Sequence, residues 1–193
     1  MGVIINASCN IVTTNGGTMK INVNCQELSE ETCIRIAREL KSAQELSKLS
    51  EHPSSAVRSE VAKNTSTSEE TLENLSKDEE SCVQIRVAEN TSTSKETLDK
   101  LSKNSDYEVK CAVARNTSTS KETLDELYKH SDYNQKCLIA GNTSTSEETL
   151  DNLADTPSHH SQYQVQRTLA YNSSTSKETL RRLFRYVTWR DDR

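Results

Sequence analysis

Apolar residues are scarce in this chain. They make up 32% of its 193 residues, against roughly 45–50% in an ordinary soluble domain, which excludes one thick central core. No apolar run approaches the roughly 18 residues of a membrane span. The opening residues, Met1 to Asn6, lack both a basic region and a long apolar stretch, so no secretory leader is expected. There is no basic excess either. A net charge of -5 and a pI near 5.5 argue against a dedicated nucleic-acid binder. No nucleophile–base pair, Gly-rich phosphate loop, paired-carboxylate cleft or close Cys-x-x-Cys pair stands out. The expectation is a soluble, cytoplasmic chain that is not an enzyme and needs no cofactor or metal. Aromatics are few, and all lie from Tyr107 onward.

Ser and Thr fill the gap, at 47 of 193 residues, and much of that excess is periodic. Asn-Thr-Ser-Thr-Ser begins at Asn64, Asn90, Asn116 and Asn142, and Asn-Ser-Ser-Thr-Ser at Asn172. The intervals are 26, 26, 26 and 30. Upstream of each Asn lies an apolar pattern, as in Val57-x-x-x-Val61-Ala62 and Val83-x-x-x-Val87-Ala88. Downstream come leucines three apart: Leu72/Leu75, Leu98/Leu101, Leu124/Leu127, Leu150/Leu153 and Leu180/Leu183. Leu46/Leu49 lies one period earlier, a half repeat before the first full one. A fixed period of this length means a solenoid, in which stacked units supply each other's missing core.

Each unit reads as two helices. Thr67-Ser-Glu-Glu70 has the form of a capping box, repeated as Thr93/Glu96, Thr119/Glu122, Thr145/Glu148 and Thr175/Glu178. It predicts a helix of about ten residues carrying the leucine pair. The Val-x-x-x-Val-Ala segment, at i, i+4 spacing, predicts a second, shorter helix. The Asn closes the turn between them. These residues resemble the leucine-rich repeat variant family: Val57-Arg58, Val61-Ala62, Asn64, Thr67, Leu72 and Leu75 fall on its marked positions. The resemblance spans about residues 42–185 and implies alternating α- and 3₁₀-like helices in a right-handed superhelix. Thr65 and Ser68 stand where the family has prolines, which predicts less rigid turns. A relative's amino-terminal iron–sulfur module is not expected here, because Cys9, Cys25 and Cys33 are too far apart.

The fold expected is therefore mainly α: a right-handed α-solenoid of about five 26-residue two-helix repeats with an N-terminal β-hairpin. The hairpin occupies 1–25, where apolar residues alternate on either side of Asn15-Gly16-Gly17. A three-residue loop pairs odd with odd positions and puts both apolar rows on one face. An adaptor helix over 26–41 carries Cys33, Ile36, Ala37 and Leu40 on one stripe. The solenoid fills 42–193 and ends in a capping helix around Leu180, Leu183, Phe184 and Val187.

A non-catalytic scaffold that binds another protein is the leading functional reading. Specificity is written where otherwise identical repeats differ: Lys63/Glu89/Arg115/Gly141/Tyr171 and Glu60/Arg86/Ala112/Leu138/Thr168. The four-residue insertion before Val165 carries His159-His160, with Tyr163 beside it, and insertions in solenoids map to binding faces. The candidate contact residues are His159, His160, Tyr163, Tyr171, Arg115 and Leu138. The bland alternatives are solvated histidines and a tyrosine packed on its neighbour. A second reading is self-assembly through the hairpin into a homo-oligomer, aided by opposite charge at the two ends: residues 26–80 carry net -6 and residues 167–193 net +4. The least favoured is a helical-repeat DNA glycosylase-like protein, since no basic row is present.

Overall fold

A computed structural model of the protein describes residues 10–13, 19–22, 28–155 and 163–191. Asn10–Thr13 (β1) and Met19–Asn22 (β2) pair antiparallel, with Ile11 opposite Ile21 and Thr13 opposite Met19. The loop between them and the rest of residues 1–25 lie outside the described residues. The other regular structure described is α-helical, and it falls into two compact units, Met1–Ser92 and Thr93–Arg193.

The first unit holds α1 (Glu30–Glu39), α2 (Ala43–Leu49), α3 (Ser55–Lys63), α4 (Glu69–Leu75) and α5 (Ser81–Glu89). Helix α3 packs against α1 on one side and α5 on the other, while α2 lies against α3 and α4 against α5. Their buried side chains are the ones the periodicity marks: Val57, Val61, Ala62, Leu72, Leu75, Val83, Val87 and Ala88. Helix α1 buries Cys33, Ile36 and Ala37 and is capped by Ser29, whose hydroxyl accepts from Thr32 N–H. It is also the missing half of the half repeat. Asn64 Nδ2 donates to Ala37 O at 2.7 Å and Leu40 O at 2.9 Å, just as Asn90 Nδ2 takes Ala62 O and Asn64 O. Leu40 thus stands where later units have Asn, and the 26-residue count misses it because the offset is shorter here.

The second unit holds α6 (Lys95–Ser102), α7 (Tyr107–Arg115), α8 (Lys121–Lys129), α9 (Tyr133–Gly141), α10 (Glu147–Ala154), α11 (Tyr163–Tyr171) and α12 (Lys177–Asp191). Helices α7, α9 and α11 pack in sequence, α6 packs against α8, and α10 against α12. Their shared core contains Leu124, Ile139, Leu150, Leu153, Val165 and Leu169, each worth about 1.5–3 kcal/mol when fully buried.

Three sequence expectations change. Both members of each pair are α-helices, without the 3₁₀ alternation the family resemblance implies, and the Val-x-x-x-Val-Ala helix is not the shorter one. Helices α3, α5, α7, α9 and α11 each have nine residues, whereas α4, α6, α8 and α10 have seven to nine. The cap also sits one residue later than a Thr67 box requires. Thr67 is 3% exposed, and its hydroxyl donates to Val61 O at 2.6 Å, as Thr119 does to Val113 O and Thr145 to Ile139 O. The N-cap is Ser68, whose hydroxyl accepts from Thr71 N–H and bonds the Thr71 hydroxyl. Glu70 therefore falls short of N3, but with Glu69 it still complements the positive end of the helix. A capping box with both halves formed occurs at Asp132/Gln135.

The turns owe their shape to hydrogen bonds where the family has prolines. Asn64 Oδ1 accepts from Ser66 N–H at 2.8 Å, and Asn90, Asn142 and Asn172 repeat this with Ser92, Ser144 and Ser174. Meanwhile each Nδ2 reaches back one repeat: Asn142 to Ala114 O and Asn116 O, both at 2.9 Å, and Asn172 to Ala140 O and Asn142 O. Asn142→Ala should therefore cost about 3 kcal/mol, since buried groups left unpaired cost about 1–3 kcal/mol each. Ser120→Ala, which removes a cap alone, should cost about 1 kcal/mol. Urea unfolding midpoints will check the ranking; equal midpoints would show that the amide is not what ties the repeats.

Candidate functional site

The variable positions occupy two places in each repeat, three residues apart along the helix. Lys63, Glu89, Arg115, Gly141 and Tyr171 are each the last residue of their helix, and all are exposed. Glu60, Arg86, Ala112, Leu138 and Thr168 lie three residues earlier on the same face. In the first unit this face neutralises itself: Arg38 pairs with Glu60 and Arg86 with Glu89. In the second unit it carries Arg115, Leu138 and Tyr171. Tyr171 is 81% exposed, and Leu138 is half-buried against the core. Gly141 has a packing role: a Cβ there would meet Thr168 Cγ2 at 3.2 Å, so a small residue lets α11 approach α9. Tyr163 opens α11. His159 and His160 lie outside the described residues.

Among the described residues, Cys33, Cys82, Cys111 and Cys137 form no disulfide. Burial is the main force pushing the Cys111 thiol above its ordinary value, the direction that disfavours the thiolate. Three aspartates at equivalent positions, Asp99, Asp125 and Asp151, bond hydroxyls of the following repeat. Asp125 Oδ1 accepts the hydroxyls of Ser146 and Thr149, both at 2.6 Å, Asp99 accepts that of Thr123, and Asp151 that of Thr179.

The repeat position that Arg58 holds in α3 is filled differently from one repeat to the next. Arg58 forks onto Asp78, Nε to Oδ2 at 2.6 Å and Nη2 to Oδ1 at 2.9 Å. Its Nη1 donates to His52 O and Pro53 O. The pair is nearly closed off, with side chains 14% and 7% exposed. Burial works to raise the Asp78 carboxyl, but the Arg58 hydrogen bond, the Glu80 N–H and the guanidinium charge outweigh it and hold it below the ordinary value. In the second unit, Lys110 holds Arg58's position in its helix and lines a cavity of about 300 Å³ with His130, Gln135 and Asn104. The signal that would have found the cavity is the change from Asp78 to His130 at one repeat position.

Asp78→Asn should cost about 3 kcal/mol at neutral pH, because Arg58 is left buried without its counter-charge. Since the folded pKa is depressed, the pair's contribution is complete above the ordinary carboxylate value of about 3.9. It is lost as pH falls through the lower folded value. Thermal unfolding of both proteins across acidic pH should show the difference between them narrowing only there; a gap that is constant to the lowest pH would remove the charge pair as its cause. No family model matches the chain, and comparison with curated proteins and with solved structures found no match either.

Proposed function

We propose that this chain is a non-catalytic scaffold that binds another protein through the variable face of a right-handed helical-repeat superhelix of the leucine-rich repeat variant kind. On this reading residues 1–25 form a hairpin, 26–41 an adaptor, and 42–193 the solenoid with its carboxyl-terminal cap. The observation that carries the proposal is Tyr171, a large side chain 81% exposed at the end of α11. It lies in the row where the first unit keeps only charged residues. Aromatics and Arg are the side chains most enriched at interface hot spots, and Arg115 occupies the same row. No described helix is long and apolar enough to cross a membrane, so a membrane is not part of the proposal. His159 and His160, which precede α11 in sequence, and Tyr163, its first residue, are proposed as further contact residues.

A self-assembling role is favoured by one separate observation. Two short strands make a sheet that is marginal alone in water, and pairing with a second copy would extend it. Light scattering distinguishes the two, since assembly predicts a mass above 21.7 kDa that falls when residues 1–25 are removed.

The scaffold is tested by affinity purification from the native cell with the unaltered chain and with Tyr171→Ala and Arg115→Ala. A bound protein should be lost from both variants, by at least about tenfold in affinity, or 1.4 kcal/mol, while their thermal unfolding matches the parent. Binding that survives both changes and disappears when residues 1–25 are removed would move recognition to the hairpin.

A further inference from the structure

The cavity beside Lys110 has a filled counterpart in the same chain. Moving back two periods, 52 residues, turns Lys110 into Arg58, Asn104 into His52, His130 into Asp78 and Gln135 into Val83. In the first unit that place is closed by a guanidinium, which bridges the His52 and Pro53 carbonyls and forks onto the Asp78 carboxylate. In the second unit each part of this plug is altered. An ammonium replaces the fork, an imidazole replaces the carboxylate, and an amide replaces a valine. About 300 Å³ is left open.

The open space collects donors, and the acid on its lining is engaged by Lys129. Lys110 makes no ion pair among the described residues. Gln135 is only 8% exposed; its Oε1 accepts the Asp132 N–H, completing the helix cap. Its Nε2 has no protein hydrogen-bond partner among the described residues, and the residue is on the cavity lining. Glu126 lines the cavity but is bonded to Lys129 at 2.6 Å. Lys103, also on the lining, is bonded to Asp99 at 2.8 Å. What is missing is an acceptor that carries negative charge.

We infer that this cavity receives a carboxylate side chain, Asp or Glu, from an acidic segment of a protein partner, in the place Asp78 fills in the first unit. The carboxylate accepts from Lys110 Nζ and Gln135 Nε2, and His130 supplies a third donor. Such charge-assisted bonds are about twice as strong as neutral ones, and Gln135 Nε2 gains a protein acceptor. That the carboxylate comes from a protein rests on the scaffold reading; that the cavity takes a carboxylate does not.

The test is an NMR titration of the isotope-labelled full chain with acetyl-Gly-Asp-Gly-amide, its Asn counterpart, and inorganic phosphate. The Asp peptide should shift the Gln135 side-chain amide and the backbone signals of residues 104, 110 and 130 to saturation, and the Asn peptide should not. His130→Asp supplies the carboxylate from within, and Lys110→Gln removes the cation. Each should weaken the Asp peptide at least about tenfold, while the dispersed spectrum reports that the variant is folded. Equal shifts from the Asn peptide, undiminished binding by either folded variant, or saturation by phosphate alone would overturn the assignment. The two readings fail separately. A partner that needs Tyr171 while the Asp peptide leaves the cavity untouched retires the cavity. Saturable peptide binding with no protein lost from the Tyr171 and Arg115 variants retires the scaffold.

Discussion

One side-chain amide, repeated, holds the stacked turns. In each unit the Asn after the Val-x-x-x-Val-Ala helix is buried and uses both ends of its carboxamide. Asn142 Oδ1 fixes its own turn through Ser144 N–H, and its Nδ2 bonds the carbonyls of Ala114 and Asn116 one repeat back. Those carbonyls come at and just after a helix end, where backbone acceptors otherwise lack partners. A single residue therefore closes a turn, caps the preceding repeat and sets the distance between the two. Asp could not replace it, because a carboxylate has no donors to offer the carbonyls.

The unusual composition follows from that constraint. A chain with so few apolar residues cannot rely on hydrophobic area alone, and its Thr and Ser are not simply solvated. Thr67, Thr119 and Thr145 are buried with their hydroxyls on the carboxyl-terminal carbonyls of the preceding helices. Ser68, Ser94, Ser120 and Ser146 start the next helix by accepting the N–H of Thr71, Thr97, Thr123 and Thr149. Five residues, Asn-Thr-Ser-Thr-Ser, thus encode a complete turn. Net gains near 1 kcal/mol per bond accumulate because the same turn is repeated, and each buried bond also specifies register.

Function is then written in departures from the repeat. Where the pattern is kept, its groups satisfy one another, as Arg58 and Asp78 do. Where it changes, either a side chain is left exposed, as at Tyr171, or a space is left open, as beside Lys110. A repeat protein carries its own control: the filled site in one unit shows what the open site in the other lacks.

The sequence by itself determined the helices, their order and their core. The 26-residue period marks Val57, Val61, Leu72 and their equivalents, and burial follows it, because apolar positions at helical spacing have only one face to bury. It also determined that Asn closes the turn. Which hydroxyl caps the helix was settled by tertiary structure: Thr67 and Ser68 are chemically alike, and only the approach of the Val61 carbonyl takes the first and leaves the second. The extra unit at α1 was hidden because Leu40 replaces Asn and the spacing shortens, so the bonds from Asn64 reveal what the period cannot. The cavity at Lys110 likewise arises from two stretches, 102–110 and 126–135, brought together by packing. A pattern of residue types fixes what each segment can bury, while the partner each polar group finds depends on where the neighbouring backbone comes to lie.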